Sequence, residues 1–457
     1  MDTLFENAMV VTCDEERRIL HDTSVAVSGG KVAAIGARDA LRQAYPQAER
    51  IDMTRKALLP GFINSHTHTV LTVLRGTVED MEGDAVYGFM TPISFAMTPG
   101  ERAAMARLGC LEAIKSGATT AVDPFRHVVS YADAMVESGL RLYLSENCAD
   151  ALTLKIRHRE YVYDKAWGQQ FLDRTVEMIE RYHGAENGRV NCQIAAHATE
   201  NCSPWMYDQL NQLARKHGLR RTVHLAQSMN EVNQVKALCG GSPADYLLQN
   251  DWLGEDVVGA HWTFCTERDI ELLAEHGVHM AHCPANSSRR GPHKVLANKI
   301  IDCGVNIALG TDNMTEDMFH AMKIGSIVHR GAYGGSVSPG PQALLDGVTR
   351  NGAKALGETA RLGSIETGKL ADLITLDLDH ATLRPIINLV ANIVHYGQPE
   401  AVRDVMVEGR FVMRDRTVLT YDERAVIDDA QAATESAWKR LFEQAPDLPK
   451  PDGAWWL

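Results

Sequence analysis

The sequence predicts an α/β protein: a (β/α)8 TIM barrel carrying a small β-sandwich domain formed from the N- and C-terminal segments. Three observations predict it. Strand-like and helical patterns take turns about eight times through the middle of the chain. β-rich blocks stand at both ends. The apolar runs of the middle repeatedly finish on a histidine or an aspartate, where a barrel keeps its chemistry.

The chain holds 457 residues, 45% of them hydrophobic, which exceeds one ordinary domain and supports a sizeable core. Residues 1–58 read as short strands, NAMVVTCD, TSVAVSGG and KVAAIGA, with Gly29-Gly30 as the turn between two of them. A matching block lies in residues 366–425, where KLADLITL buries alternate aliphatics and VRDVMVEGRFV again places a glycine between two apolar runs. The two blocks are expected to pair, leaving 59–365 as one inserted barrel domain, because the ends of a domain commonly lie close together. That middle runs from LLPGFINSHTH and PGERAAMARLGCLEAIKSG through RVNCQIAAHA, RRTVHLAQ, VVGAHW and VHMAHCP to VNIALGTDN. A doubly wound open sheet is the alternative that the same alternation allows. Residues 426–457 read as a charged amphipathic helix followed by an arm whose Trp455 and Trp456 suit packing on a second subunit, so a homodimer or larger homo-oligomer is expected.

Forty-six Lys plus Arg against 59 Asp plus Glu leave a net charge of −13. Such a field repels phosphate backbones and anionic bilayers, and no basic stripe is present, which argues against nucleic acid and membrane partners and for a neutral or cationic small-molecule substrate. Nine cysteines without CxxC pairs indicate neither a disulfide framework nor a zinc ribbon. Without a secretory signal or an apolar run of about 18 residues, a soluble cytoplasmic protein is expected.

The strongest chemical signal is Pro60-Gly61-Phe62-Ile63-Asn64-Ser65-His66-Thr67-His68. Side chains at i and i+2 of a strand share a face, so His66 and His68 can converge on one ion at a strand's carboxyl end. The placement recurs: TVHLA carries His224, VVGAH ends in His261, VHMAH in His282 and IALGTD in Asp312. Each of these alone reads first as a buried structural residue. Together with the HxH they read as a metal centre. A catalytically dead barrel kept as a scaffold is the non-enzymatic alternative, and metal content separates the two.

Taken with the GTDN strand and GSIETGKLADLITLD, these motifs resemble the amidohydrolase superfamily over nearly the whole chain, within it the branch of cytosine and guanine deaminases and triazine hydrolases. The resemblance implies one divalent ion, zinc first, with cobalt, iron or manganese as alternatives. His66, His68, His224 and Asp312 would be its ligands, and His261 would lie beside the attacking water or act as a further ligand. The family's binuclear members place a bridging lysine on the fourth strand; here that strand reads Ile194-Ala195-Ala196-His197, which favours one metal. His197 matches a substrate-facing histidine of nucleoside-type deaminases. A bound ion would activate water and polarise the electrophilic carbon, Asp312 would ligate and accept the water proton, and His261 would orient the hydroxide.

One departure bears on the substrate. Resembling deaminases carry His-x-x-Glu on the fifth strand, whose glutamate protonates a ring nitrogen; this chain has His224-Leu225-Ala226-Gln227. A carboxamide only donates or accepts hydrogen bonds. Glu231, Ser228 and His282 are the remaining candidates for the acid. The expected reaction is therefore hydrolysis of a C–N or carbamate-type bond in a small N-substituted urea, carbamate, thiocarbamate or amide. Deamination or dehalogenation of a heteroaromatic ring stands second. The segment 71–95 resembles the family's substrate cap, and its acidic stretch Glu79-Asp80-Met81-Glu82 reads first as a solvated face. Phe89, Met90, Tyr87, Trp262 and Phe264 are candidates for an apolar pocket wall or for core. Arg289 and Arg290 read as surface charges before carboxylate binders.

Overall fold

The structure, a computed structural model, describes residues 2–79, 86–289, 294–332 and 339–450. Eight parallel strands form the barrel: β1 (Phe62–Asn64), β2 (Ala118–Phe125), β3 (Arg141–Cys148), β4 (Ile194–Ala198), β5 (Arg221–Leu225), β6 (Val257–His261), β7 (His279–His282) and β8 (Ile307–Leu309). Nearly every residue in them is buried, as strands covered on both faces require. Neighbours pair in chain order.

The ends of that sheet meet just beyond β1 and β8. Ser65 donates its N–H to Leu309 at 3.0 Å, Asp312 to His66 at 3.0 Å and His68 to Asp312 at 2.8 Å, with Thr67 and Asp312 bridged in parallel. The sheet is a nearly closed barrel, and the open doubly wound alternative is excluded. The seam also runs through the sequence positions that carry the chemistry.

The termini meet as the two β-rich blocks imply. In one nine-stranded mixed sheet, Leu373–Asp377 lies antiparallel to Lys56–Pro60, with Ile374 opposite Leu59. The N-terminal strands continue the sheet on one side and Val402–Val407, Arg410–Arg414 and Thr417–Val418 on the other. Phe5, Val10, Val25, Leu58, Leu373 and Met406 form its own apolar cluster. Lys56–Pro60 runs through Gly61 straight into β1, so the small sheet holds the entry to the HxH segment. A side chain at Gly61 would lie 2.1 Å from Thr119, which is why the bend is glycine.

Helix Pro99–Lys115 starts on a Thr98 capping box with Glu101 and packs on the turn that follows His68. At Gly109 a Cβ would meet the Thr69 carbonyl at 2.8 Å, so glycine permits that approach. The C-terminal helix Glu423–Gln444 packs in turn on Pro99–Lys115, with Trp438 buried and its indole N–H donated to Val73 O at 2.8 Å. Trp455 and Trp456, Asp80 to Glu82 and Arg290 lie outside the described residues. No helix among the described residues is long and apolar enough to cross a membrane, and all nine cysteines are free.

Candidate metal centre

The barrel mouth brings together most of the residues that strand periodicity singles out. The ligand-type atoms of His66, His68 and His224 lie within 4.8 Å of one another, as do those of His66, His261 and Asp312. His68 Nε2 is 3.2 Å from His224 Nε2 and 3.3 Å from Asp312 Oδ1; Asp312 also stands 3.9 Å from both His66 Nε2 and His261 Nε2. All five residues are at most 5% exposed.

Backbone conformation at the strand ends aims these groups inward. His261 (φ 80°) and Asp312 (φ 66°) both occupy the left-handed region, which non-glycine residues enter rarely and at a cost of about 1–3 kcal/mol. Trp262 (φ 54°) follows, and Ala226 (φ 50°) makes the same turn after His224. Surrounding bonds hold these turns: Trp262 and Phe264 donate their N–H groups to Leu225 O and Ala226 O.

Burial keeps the imidazoles neutral, as ligands must be. The His66 and His68 rings are held well below the ordinary histidine range, first by burial and then by neighbouring rings. His224 is pushed down to about 4 by burial. Its Nδ1 hydrogen-bonds the carbonyl of His197, which fixes the tautomer and turns Nε2 into the cluster.

A second layer ties β1 to β8. Glu316, fully buried, accepts from Thr67 Oγ1 at 2.6 Å and Asn64 Nδ2 at 3.0 Å and faces Thr311 Oγ1 at 3.3 Å, while Asn64 Oδ1 takes the Thr311 N–H. Burial holds its carboxyl well above the usual range. Asp123 of β2 accepts the N–H and hydroxyl of Thr69, immediately after His68, and burial pushes it up to about 7. Neither carboxylate carries a local motif, which is why sequence reading passes over both.

The donor set fits a divalent ion. His66 Nε2 is buried without a hydrogen-bond partner among the described residues, and His68 Nε2 and His224 Nε2 face each other with neutral rings. Imidazole nitrogens and a carboxylate converging at this spacing are what a zinc-type ion takes.

The remaining candidates are placed as follows. The His197 ring accepts from Asn201 Nδ2 at 2.6 Å and lies 3.1–3.2 Å from Arg126 Nη2; its centroid is 5.5 Å from that of His224. His282 is not among the gathered donors: its Nε2 turns to His329 Nε2 at 2.9 Å, beside a cavity of about 250 Å³ lined by Met280, Leu309 and Leu344. Phe89 and Trp262 are buried in the main core, Trp262 packing back toward Gly259. Tyr87 donates its hydroxyl to Glu200.

Glu231, weak on spacing alone, is 0% exposed behind the Gln227 loop. It accepts the N–H groups of Ala226 at 2.8 Å and Gln227 at 2.7 Å and the hydroxyl of Thr199 at 2.5 Å. Burial pushes it up to about 7. Ser228 caps the helix that carries it. Arg126, the first residue after β2, went unremarked in the sequence; its signal is a lone cation at the end of an apolar strand run, TTAVDPFR.

Comparison with known proteins agrees with the geometry. The amidohydrolase family model matches residues 57–412, and an imidazolonepropionase-like composite domain of bacteria matches residues 25–48. The chain is 31% identical over 432 residues to a 5-methylthioadenosine/S-adenosylhomocysteine deaminase of Syntrophobacter fumaroxidans, covering 93% of this chain and 96% of that one. Among solved structures it superposes on a zinc-bound adenosine deaminase from Xanthomonas campestris with a TM-score of 0.87 at 24% identity, covering 96% and 99% of the two chains. A zinc complex of an atrazine chlorohydrolase from Arthrobacter aurescens gives 0.84 at 20%, covering 94% and 100%. With its barrel, its shared terminal sheet and its histidine–aspartate cluster at the strand ends, the chain belongs to the amidohydrolase family.

Proposed function

We propose that the protein is a zinc-type hydrolytic deaminase of an amino-substituted heteroaromatic ring, of the purine-nucleoside kind. The observation that carries this reading is the strand-end cluster of His66, His68, His224, His261 and Asp312 in a chain whose relative along 93% of its length is a deaminase of adenine nucleosides. The urea and carbamate reading rested on the missing acid at Gln227. Against that objection stands the relationship over 93% of the chain to a deaminase, while Glu231 accepts the Gln227 N–H and fixes that loop. Dehalogenation of a triazine-type ring is the second reading, favoured by the likeness of fold to the chlorohydrolase.

His66, His68, His224 and Asp312 would hold one divalent ion, which supplies activation of water and polarisation of the carbon to be attacked. The protein supplies the rest. Asp312 accepts one proton of the attacking water and delivers it to the departing amino group, while the second water proton ends on the adjacent ring nitrogen, so that water adds, the C–N bond breaks, a ring carbonyl with a ring N–H forms and ammonia leaves. His261, 3.9 Å from Asp312, orients the water. Gln227 hydrogen-bonds the ring, and Glu231 holds Gln227 in place. With Asn201 donating to its Nδ1, neutral His197 carries its proton on Nε2 and offers it to the substrate.

The test is ammonia release from 5'-methylthioadenosine, S-adenosylhomocysteine, 5'-deoxyadenosine, adenosine and aminotriazines, set against phenylureas and carbamates, with zinc content measured on the same preparation. Ring deamination with close to one ion per chain is expected. Turnover confined to ureas and carbamates would overturn the reading.

A further inference from the structure

Three arginines are buried among the described residues, and two of them are satisfied by oxygen acceptors, Arg102 by the Ser94 carbonyl at 3.0 Å. Arg141, 1% exposed, pairs with Asp372 at 2.9 Å and Glu408 at 3.1 Å. Arg126 is 2% exposed and has no carboxylate within ion-pair distance among the described residues; nearby Glu146 pairs with Arg174 instead. Its Nε has no hydrogen-bond partner among the described residues. Its Nη2 lies 3.1 and 3.2 Å from the two nitrogens of the His197 ring, whose Nδ1 is already taken by Asn201 at 2.6 Å. The guanidinium rests between Phe95 and Phe125, 5.9 and 5.8 Å from their centroids, and the Phe125 ring packs 5.0 Å from His68. Its charge is felt at His68, His197 and His224, so it faces the metal cluster. Burial pushes it down to about 10, which leaves it charged at neutral pH.

A buried cation without an ion-pair partner costs several kcal/mol, a cost that an anionic group of the substrate would offset. From the juxtaposition of Arg126, His197 and the metal cluster, we propose that the site also receives amino-substituted rings that bear a carboxylate, the carboxylate being held by the Arg126 guanidinium. Guanidinium and carboxylate match as a two-pronged, charge-assisted pair, and a dry aromatic surround strengthens it. The inference rests on the reading that the metal cluster is the substrate site.

The experiment is calorimetric titration of the full-length, zinc-loaded protein with three pairs differing only in carboxylate against carboxamide: 6-aminonicotinate and 6-aminonicotinamide, 5-carboxycytosine and 5-carbamoylcytosine, 4-aminobenzoate and 4-aminobenzamide. The wild type is expected to prefer the carboxylate of at least one pair by about tenfold or more. Arg126→Gln and Arg126→Met are expected to abolish that preference, and Arg126→Lys to keep part of it. Because an unpaired charge is removed, the melting temperature of Arg126→Met without ligand should equal or exceed that of the wild type. No carboxylate preference in any pair overturns the proposal. A preference that survives in Arg126→Gln or Arg126→Met also overturns it, since the carboxylate would then be ligating the metal alone. Binding is read without turnover, so a failure to release ammonia removes the deaminase reading and leaves this one to be decided separately.

Discussion

Asp312 combines three roles in one side chain: ligand-type oxygen toward His68, closing residue of the barrel seam through its backbone, and proton acceptor in the proposed reaction. Replacing it by Asn keeps the shape and removes the charge. Asp312→Asn is expected to lower kcat by about 10³-fold or more while the metal-free protein unfolds at nearly the same urea concentration. Activity above a tenth of wild type would remove Asp312 from proton transfer. Glu231 gives a pH-dependent counterpart. Burial pushes its carboxyl up to about 7 in the folded state, against 4.5 for a free glutamate, so the folded state keeps a proton that the unfolded chain gives up between those values. The resulting stability is present in full below 4.5 and is lost as pH rises toward 7. Glu231→Gln cannot show that loss. The stability advantage of wild type over Glu231→Gln is therefore expected to shrink by roughly 2–3 kcal/mol between pH 5 and pH 8, read from urea unfolding at each pH. An advantage that does not change with pH would place the carboxyl as ionised throughout.

At the scale of elements, the strand end is the unit that carries function. His66, His68, His224, His261 and Asp312 were legible because a strand's period of two and its apolar run are local signals, and a barrel keeps its chemistry at one end of every strand. What was not legible is how each end is held. Glu316 binds Thr67 across 249 residues, Arg126 meets His197 across 71, and His282 turns to His329 on a helix 47 residues away. No local pattern encodes such pairings. Nor could sequence show that His261 and Asp312 adopt left-handed backbone. The seam itself offers a test. At Gly310, between β8 and Asp312, a Cβ would stand 2.6 Å from the His66 carbonyl oxygen and 2.9 Å from its backbone nitrogen, both backbone atoms that cannot rotate aside. Gly310→Ala is expected to cost about 1–3 kcal/mol of stability and to lower zinc affinity, because it pushes Asp312 away from the HxH segment. Wild-type zinc affinity in this variant would mean that the seam does not set the metal geometry.

Over the whole molecule, the terminal sheet takes strands from both ends of the chain, and its strand Lys56–Pro60 continues into β1, so the two layers are joined where the barrel begins. Arg141 at the start of β3 is the polar joint between them. It reaches out of the barrel to Asp372, which leads into strand Leu373–Asp377, and to Glu408 in the turn between two further strands of the sheet; Asp372 also accepts the Glu408 N–H at 2.8 Å. A buried pair of this kind adds modest net stability over an apolar substitute, yet removing one partner strands the other without water. Arg141→Ala is therefore expected to destabilise the protein by about 3–5 kcal/mol, and adding Asp372→Ala to recover part of that loss instead of adding to it. Both variants should unfold in one transition, with barrel tryptophan fluorescence and far-ultraviolet dichroism coinciding, because neither layer keeps its entry strand when the other is lost. Two separated transitions in Arg141→Ala, with the barrel surviving the sheet, would show that the terminal sheet is a separable attachment and that β1 holds the HxH segment without it.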